Sequence, residues 1–324
     1  MRINYYPSHV HVMNQQRYIA GQHAGLVESQ LLLCNQQVSA PHLQICANQM
    51  PSYERILVSE RAKINYHLSG YGLYREEAMV KLYGEDIERY ALLLASTLWR
   101  DKLVYASYAE LQARYGPEQV LPWEYLNIFS SQDYDGLRKE TAIRPISQQD
   151  PLGWLACPSL LQADLRIFIP AQMLFLGYQI RADQGEKMFV PSFSKGSAAH
   201  TSRVRALNAA ILEAIEADAF MLNWYTGRRA PVIEPDDLDF LRLIQRILQG
   251  TPYDLTLYDF SMPHLPGYVT AALLTNRRGE APYILMGCSA HTDIRRAAYR
   301  ALTEAATIHY LAANGPLISP TDFL

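Results

Sequence analysis

No apolar run in this chain approaches the ~18 residues that a membrane span needs. The opening stretch MRINYYPSHVHVMNQQ lacks the apolar centre of a secretory signal. Four cysteines, Cys34, Cys46, Cys157 and Cys288, are scattered through 324 residues without C-x-x-C spacing. That is the habit of reduced thiols, not of a disulfide framework or a zinc site. Charge runs are short and the net charge is −3, so nothing favours a nucleic-acid partner. No linker rich in proline, glycine or serine divides the chain. The expectation is a cytoplasmic protein that engages neither membrane nor nucleic acid.

What is present is core. At 49% hydrophobic residues, the chain can bury a large interior, and its length allows one large or two medium domains. The 22 tyrosines supply either contact surface for a peptide or partner, or ordinary packing.

Residues 1–60 are polar and glutamine-rich and read as short strands and turns, an N-terminal extension packed on the core. A strand-like piece, Ile64 to Gly72, ends in a glycine turn. Arg75 to Tyr105 reads as one long helix, with apolar residues at helical spacing. Leu165–Pro170 and Met173–Tyr178 look like strands. Phe189 to Gly196 enters a second glycine turn, and Ser202 to Tyr225 is a second long helix. A third helix runs from Asp236 to Gln249, with an acidic start and Gly250 as its stop. Strands follow at Asp254–Phe260, Tyr268–Leu274 and Tyr283–Gly287, then a last helix over Thr292–Ala313. Strand, small-residue turn and alanine-rich helix with glutamate recur at Gly70–Arg89, Gly196–Asp218 and Gly287–Glu304. The fold class expected is α+β: residues 60–324 form a single intertwined domain of mixed sheets in which the three units converge.

Two of the helices carry glutamates three residues apart, Glu85/Glu88 and Glu213/Glu216. Such pairs share a helix face, and two helices side by side would point four carboxylates at one spot. Four carboxylates in a dry site require cations. Magnesium prefers such hard oxygen ligands, and magnesium points to a nucleotide. Taken singly, each pair also fits an exposed helix face. His200, His291 and Cys288 fit structural roles. The segment Trp224-Tyr225-Thr226-Gly227-Arg228-Arg229 either grips a peptide or partner, or closes a helix with cations that suit its dipole.

The three units resemble the YcaO family of ATP-dependent proteins that modify peptide backbones. SGYGLYREEAMVKLYGEDIERYA is similar to the family's serine/glycine turn followed by A-x-x-S-A-x-G-E-A-x-E-R. SKGSAAHTSRVRALNAAILEAIEADAF resembles S-N-G-x-A-S-G-N-x-x-x-E-A-x-x-x-A-x-x-E-x-x-E-R-D-A. GCSAHTDIRRAAYRALTEA resembles G-x-G-A-H-x-D-x-x-x-A-x-x-R-A-L-T-E-A. The resemblance runs from about residue 60 to the C-terminus. It implies a central nucleotide-type cleft, with Glu85, Glu88, Glu213 and Glu216 on Mg2+ and with Ser69, Arg89 and Arg300 among the ATP-binding residues. Glu304 stands beside Arg300. Phosphorylation of an amide oxygen by ATP would then give an azoline, in preference to a thioamide or amidine. The implied partners are a precursor peptide and a separate leader-peptide-binding protein, since the chain leaves no room for that domain; a homodimer stays open.

Several positions depart from the family pattern. Lys81 stands for a serine, and Ala198, Thr201 and Arg205 stand for serine, asparagine and glutamate. Ala217 stands for an arginine, and Tyr71 for a lysine or similar residue. Lys81 lies one turn before Glu85 and could pair with it, and Arg205 lies two turns before Glu213. Cations placed there would offset the carboxylates without metal. The second reading is therefore a degenerate subunit that binds or scaffolds within a modification complex and does not hydrolyse ATP.

Overall fold

The computed structural model describes residues 25–26, 31–34, 39–49, 67–191 and 193–313. In chain order its elements are β1 (Leu31–Cys34), β2 (Gln44–Gln49), β3 (His67–Gly72), α1 (Arg75–Leu98), β4 (Val104–Ser107), α2 (Tyr108–Tyr115), α3 (Ser131–Glu140), β5 (Pro151–Pro158), β6 (Arg166–Pro170), α4 (Arg203–Thr226), β7 (Val232–Ile233), α5 (Leu238–Leu248), β8 (Tyr253–Asp259), β9 (Tyr268–Asn276), β10 (Ile284–His291) and α6 (Ile294–Ala313). The class is α+β. Two compact units divide the chain. The first takes Met1–Pro51, Asn65–Glu88 and Lys195–Leu324; the second takes Ser52–Ile64 and Arg89–Ser194.

The first unit holds two antiparallel sheets, β1-β2-β3 and β10-β9-β8-β7. Strand β9 reads YVTAALLTN, apolar almost throughout, as a strand covered on both faces should be. Its Ala272 and Leu274 join Leu285, the alanines Ala298, Ala301, Ala305 and Ala306 of α6, and Phe240 and Ile247 of α5 in one core. Its Val269 and Ala271 join Leu212, Ile215 and Ala219 of α4 in another. The larger sheet thus lies between α5 and α6 on one face and α4 on the other. Alanine lines α6 because the helix backbone rides directly on β10. A Cβ at Gly287 would overlap the Ala301 carbonyl oxygen and the Ala305 nitrogen. Gly70 of β3 stands in the same relation to Ala78 and Leu82 of α1.

The second unit is an antiparallel β4-β5-β6 sheet around buried Trp154, whose indole N–H donates to the Ala106 carbonyl at 2.9 Å. Ser107 and Ser130 start α2 and α3 with reciprocal capping boxes.

Two sequence expectations need correction, and one strand goes unanticipated. The helix expected over Arg75–Tyr105 ends at Leu98. A short 3-10 turn follows, and Val104 and Tyr105 enter β4 opposite Trp154 and Gly153; sheet pairing wins over helical periodicity there. The strand expected at Met173–Tyr178 is a single helical turn, Ala171–Leu174, followed by a loop with Gly177 at φ 71°. Strand β5 had no counterpart in the periodicity. Of residues 1–66, only 25–26, 31–34 and 39–49 are described, so the strand-like start expected at Ile64–Tyr66 lies outside the described residues. The glycine contacts yield one expectation: Gly70→Ala and Gly287→Ala each destabilise the first unit by about 1–3 kcal/mol, read as a lower urea midpoint. An unchanged midpoint would contradict the close helix–strand approach.

Candidate functional site

Strands β3 and β10 each stand at the end of their sheet. Among the described residues, no strand neighbours the backbone N–H groups on their outer edges, and partly buried donors need acceptors. Glutamates of helices packed beside the strands supply them: from the following helix at Ser69, Leu73 and Cys288, and from the earlier α4 at Ala290. Ser69 N–H donates to Glu85 Oε2 at 3.2 Å, and Leu73 N–H to Glu77 Oε2 at 3.1 Å. On β10, Cys288 N–H donates to Glu304 Oε2 at 2.9 Å and Ala290 N–H to Glu216 Oε2 at 3.1 Å. The turn before α4 repeats the device: Gly196, at φ 85°, donates its N–H to Glu213 Oε2 at 3.2 Å. The three strand- or turn-to-helix links span 16, 17 and 16 residues. The first and third units thus use one local solution: a glycine where helix backbone rides on strand, and a glutamate reaching back to the strand edge. The second keeps the glutamate and the small residue, but at a turn with open space around Gly196 and, among the described residues, no strand before it.

Two lysines sit among these carboxylates. Lys195 Nζ is 3.3 Å from Glu213 Oε1 and 3.7 Å from Glu216 Oε1. Lys81 pairs with Glu77 at 2.9 Å, donates to the Tyr71 carbonyl at 2.8 Å, and lies over the Tyr71 and Tyr299 rings. The Tyr299 hydroxyl donates to Glu77 at 2.9 Å. Lys81 therefore turns to the glutamate one turn earlier, not to Glu85, because the Tyr71 carbonyl and two aromatic faces receive its ammonium there. Arg205 is exposed, without an ion pair to any described residue, so it does not neutralise the second pair; Lys195 does. Thr201 is exposed, Ala217 half-buried.

The first unit contains Ser69, Glu85, Glu88, Glu213, Glu216 and Arg300; Arg89 belongs to the second. Glu88 accepts a 2.5 Å bond from the Ser197 hydroxyl. Lys195, Glu77, Tyr71 and Tyr299 were not singled out from the sequence as site residues. Lys195 had a signal in its place, immediately before the turn glycine of the second unit, where the resembled pattern has asparagine.

The electrostatics describe a region short of positive charge. Burial pushes the Glu304 carboxyl up to about 7, the Glu216 charge adds to this, and Cys288 N–H, Lys195 and Arg300 pull it back. Burial also raises Glu216. Lys195 is held above the usual lysine range: partial burial opposes its charge, but Glu216 and Glu213 outweigh that. Burial lowers Lys81 despite Glu77. Burial and then the carboxylates of Glu216 and Glu304 raise the Cys288 thiol, which removes it as a thiolate nucleophile. Nearby on α1, buried Asp86 is pushed up to about 7 by burial, against a 2.9 Å bond from Asn48 Nδ2. Asp86 Oδ1 and Asn48 Oδ1 both lack a partner; protonation of Asp86 supplies the donor that two acceptors lack.

Among the described residues, no group of three or more His, Cys, Asp or Glu side chains is placed to hold a metal ion. Magnesium needs less than that, since it takes one or two carboxylates and fills the remainder with water and phosphate oxygens. Glu213 and Glu216 already share a stand-in cation, the Lys195 ammonium, and all the donors are hard oxygens. The residues present fit a magnesium ion carried by a phosphate.

The chain belongs to the YcaO family: the family model described as YcaO cyclodehydratase, ATP- and Mg2+-binding, matches residues 69–318. Comparison with curated proteins gives no match. Solved structures share the fold. A heterocyclase in complex with substrate and cofactor matches with TM-score 0.73 and 19% identity over 96% of this chain and 41% of its own. YcaO from Methanopyrus kandleri, bound with AMPPCP and Mg2+, matches with TM-score 0.62 and 18% identity over 96% and 67%. The E. coli microcin synthetase McbBCD complex matches with TM-score 0.60 and 13% identity over 94% and 70%. The chain thus spans 41% of the length of the heterocyclase. No helix among the described residues is long and apolar enough to cross a membrane.

The raised carboxyls set a pH dependence. With folded pKa values of about 7 for Glu304 and Asp86, the native state keeps protons that the unfolded chain has already released. The stability this confers is complete below the ordinary carboxyl range and is lost as pH rises through 7. At about 1.4 kcal/mol per pKa unit, unfolding free energy falls by a few kcal/mol between pH 5 and pH 8 as an upper bound, read by urea titration. Asp86→Asn and Glu304→Gln flatten that slope; an unchanged slope in the double variant would contradict the assignment.

Proposed function

We propose that this chain uses ATP and Mg2+ to modify the backbone of a ribosomally made precursor peptide, with azoline formation favoured over thioamide or amidine. The observation that carries the reading is that Glu213, Glu216 and Glu304, each anchored by a backbone N–H, share one lysine, and that Glu216 and Glu304 also feel Arg300. Family membership supports it, since the matched model is described as a cyclodehydratase that binds ATP and Mg2+. When bound, ATP with Mg2+ supplies the phosphoryl group that turns an amide oxygen into a leaving group. Such chemistry asks a protein mainly for positioning and charge neutralisation, which fits a region of carboxylates and cations whose cysteine is held as a thiol. In this reading Glu85, Glu88, Glu213 and Glu216 hold the metal. Arg300 offsets phosphate charge with forked donors, and Ser69 lines the phosphate side of the first turn. Lys195, with a half-exposed side chain, can exchange its carboxylates for a phosphate oxygen. The setting is the cytoplasm, with a separate protein that binds the leader of the precursor; the microcin synthetase with pro-MccB17 bound is a multi-protein precedent of the same fold.

One observation favours the second reading, a scaffolding subunit that does not turn over ATP. The Lys195 ammonium already lies between Glu213 and Glu216, where a cation is wanted.

Calorimetry with AMPPCP and Mg2+ separates the two. The enzymatic reading expects Mg2+-dependent binding, weakened about tenfold or more by Glu213→Gln. Silence at millimolar nucleotide leaves the scaffold. Lys195→Met sharpens the contrast: under the scaffold reading it lowers the melting temperature and Mg2+ does not restore it, whereas under the enzymatic reading Mg2+ with AMPPCP restores it.

A further inference from the structure

Helix α4 is apolar on both sides. Its inner side buries Leu212, Ile215 and Ala219. On its outer side Val204, Leu207, Ile211, Ala214, Asp218, Met221 and Tyr225 are all exposed. Their spacing alternates three and four residues over three heptads, the a/d seam of a helix that packs knobs into holes on another helix. Val204 is 76% exposed, Tyr225 77% and the adjoining Trp224 68%, far from the ordinary scatter of single surface apolar residues. Asp218 is the one polar residue in the seam, as a register-setting position would be.

The charge around the seam states what covers it. Arg203 and Arg205 flank its start, Arg228 and Arg229 follow its end, and all four are exposed without an ion pair to any described residue. A second copy of α4 is a poor occupant. Antiparallel pairing sets Arg203 and Arg205 beside the second copy's Arg228 and Arg229, and parallel pairing sets each arginine pair against itself; both juxtapose like charge. We infer that the outer seam of α4 docks an amphipathic helix of another protein, apolar at its own a/d positions, acidic at both ends, and carrying a cationic residue opposite Asp218. The inference rests on exposure, heptad spacing and charge alone, and stands whether or not the carboxylate site turns over ATP.

The test uses the full chain and two synthetic helical peptides of three heptads with leucine at the seam positions and lysine opposite Asp218. One carries glutamates at both ends, the other lysines. Fluorescence anisotropy is expected to show the acidic-ended peptide binding at least about tenfold more tightly. Ile211→Glu, on an exposed position, weakens it by about tenfold or more with the melting curve unchanged. Arg203→Glu combined with Arg228→Glu reverses the preference between the peptides. Equal binding of both peptides, no binding at roughly 100 μM, or indifference to Ile211→Glu overturns the proposal. So does a dimer in sedimentation that Ile211→Glu dissociates, which would make the occupant a second copy. Loss of nucleotide binding in the wild type leaves these outcomes untouched, so failure of the ATP reading and failure of this one are distinguishable.

Discussion

A sheet that ends inside a protein leaves a row of backbone donors, and in this chain glutamate carboxylates accept from that row. Ser69, Cys288 and Ala290 give their N–H groups to Glu85, Glu304 and Glu216. An unpaired buried N–H costs as much as a lost hydrogen bond, about 1–3 kcal/mol, so these contacts hold the ends of β3 and β10 closed. The same contacts import negative charge into a half-dry region, where burial and mutual repulsion push Glu304 up to about 7. Structural satisfaction and the gathering of negative charge are one interaction here. The fold has to bring cations to finish what the strand edges begin.

That interaction has a steric precondition. A glutamate on a helix reaches a strand edge only if the helix backbone lies almost on the strand. Gly70 against Ala78 and Leu82, and Gly287 against Ala301 and Ala305, provide that approach. The carboxylates that reach back, Glu85 and Glu304, are three residues beyond Leu82 and Ala301. The alanine face of α6, with Ala297, Ala301 and Ala305 fully buried, carries the same requirement further along the helix. Small residues and acidic residues recur together because the first make room for the second.

This coupling explains which parts could be seen in the sequence. The i, i+3 glutamates and the small-residue turns lie within short windows, and α4, α5 and α6 were anticipated to within about two residues at either end, the usual scatter of boundary assignments. The choice made by Lys81 was not legible. Glu77 and Glu85 are both one turn away, and only the tertiary position of Tyr71 and Tyr299 decides between them. The place of Lys195 before the turn glycine was legible but its partners were not, since they lie on the helix that follows and local spacing does not point to them. The early end of α1 depends on β4 pairing with β5, a partner some fifty residues later; helical periodicity carries no trace of a distant strand.

Helix α4 brings these threads together. A helix that is apolar on all sides belongs in an interior, yet this one leaves Val204, Leu207, Ile211, Met221, Trp224 and Tyr225 exposed. Its inner half is committed, with Glu216 turned to the β10 edge, Glu213 to the Gly196 turn, both to Lys195, and with Leu212 and Ile215 packed in the core. Only residues that satisfy a separate demand explain an outer half that keeps strict heptad spacing and a single aspartate. Core packing alone would have left that face polar, and selection for solubility would have done so sooner. The element that anchors two of the site's carboxylates is therefore also the element built to be covered, and a change in what covers it acts on the same rigid rod that carries Glu213 and Glu216.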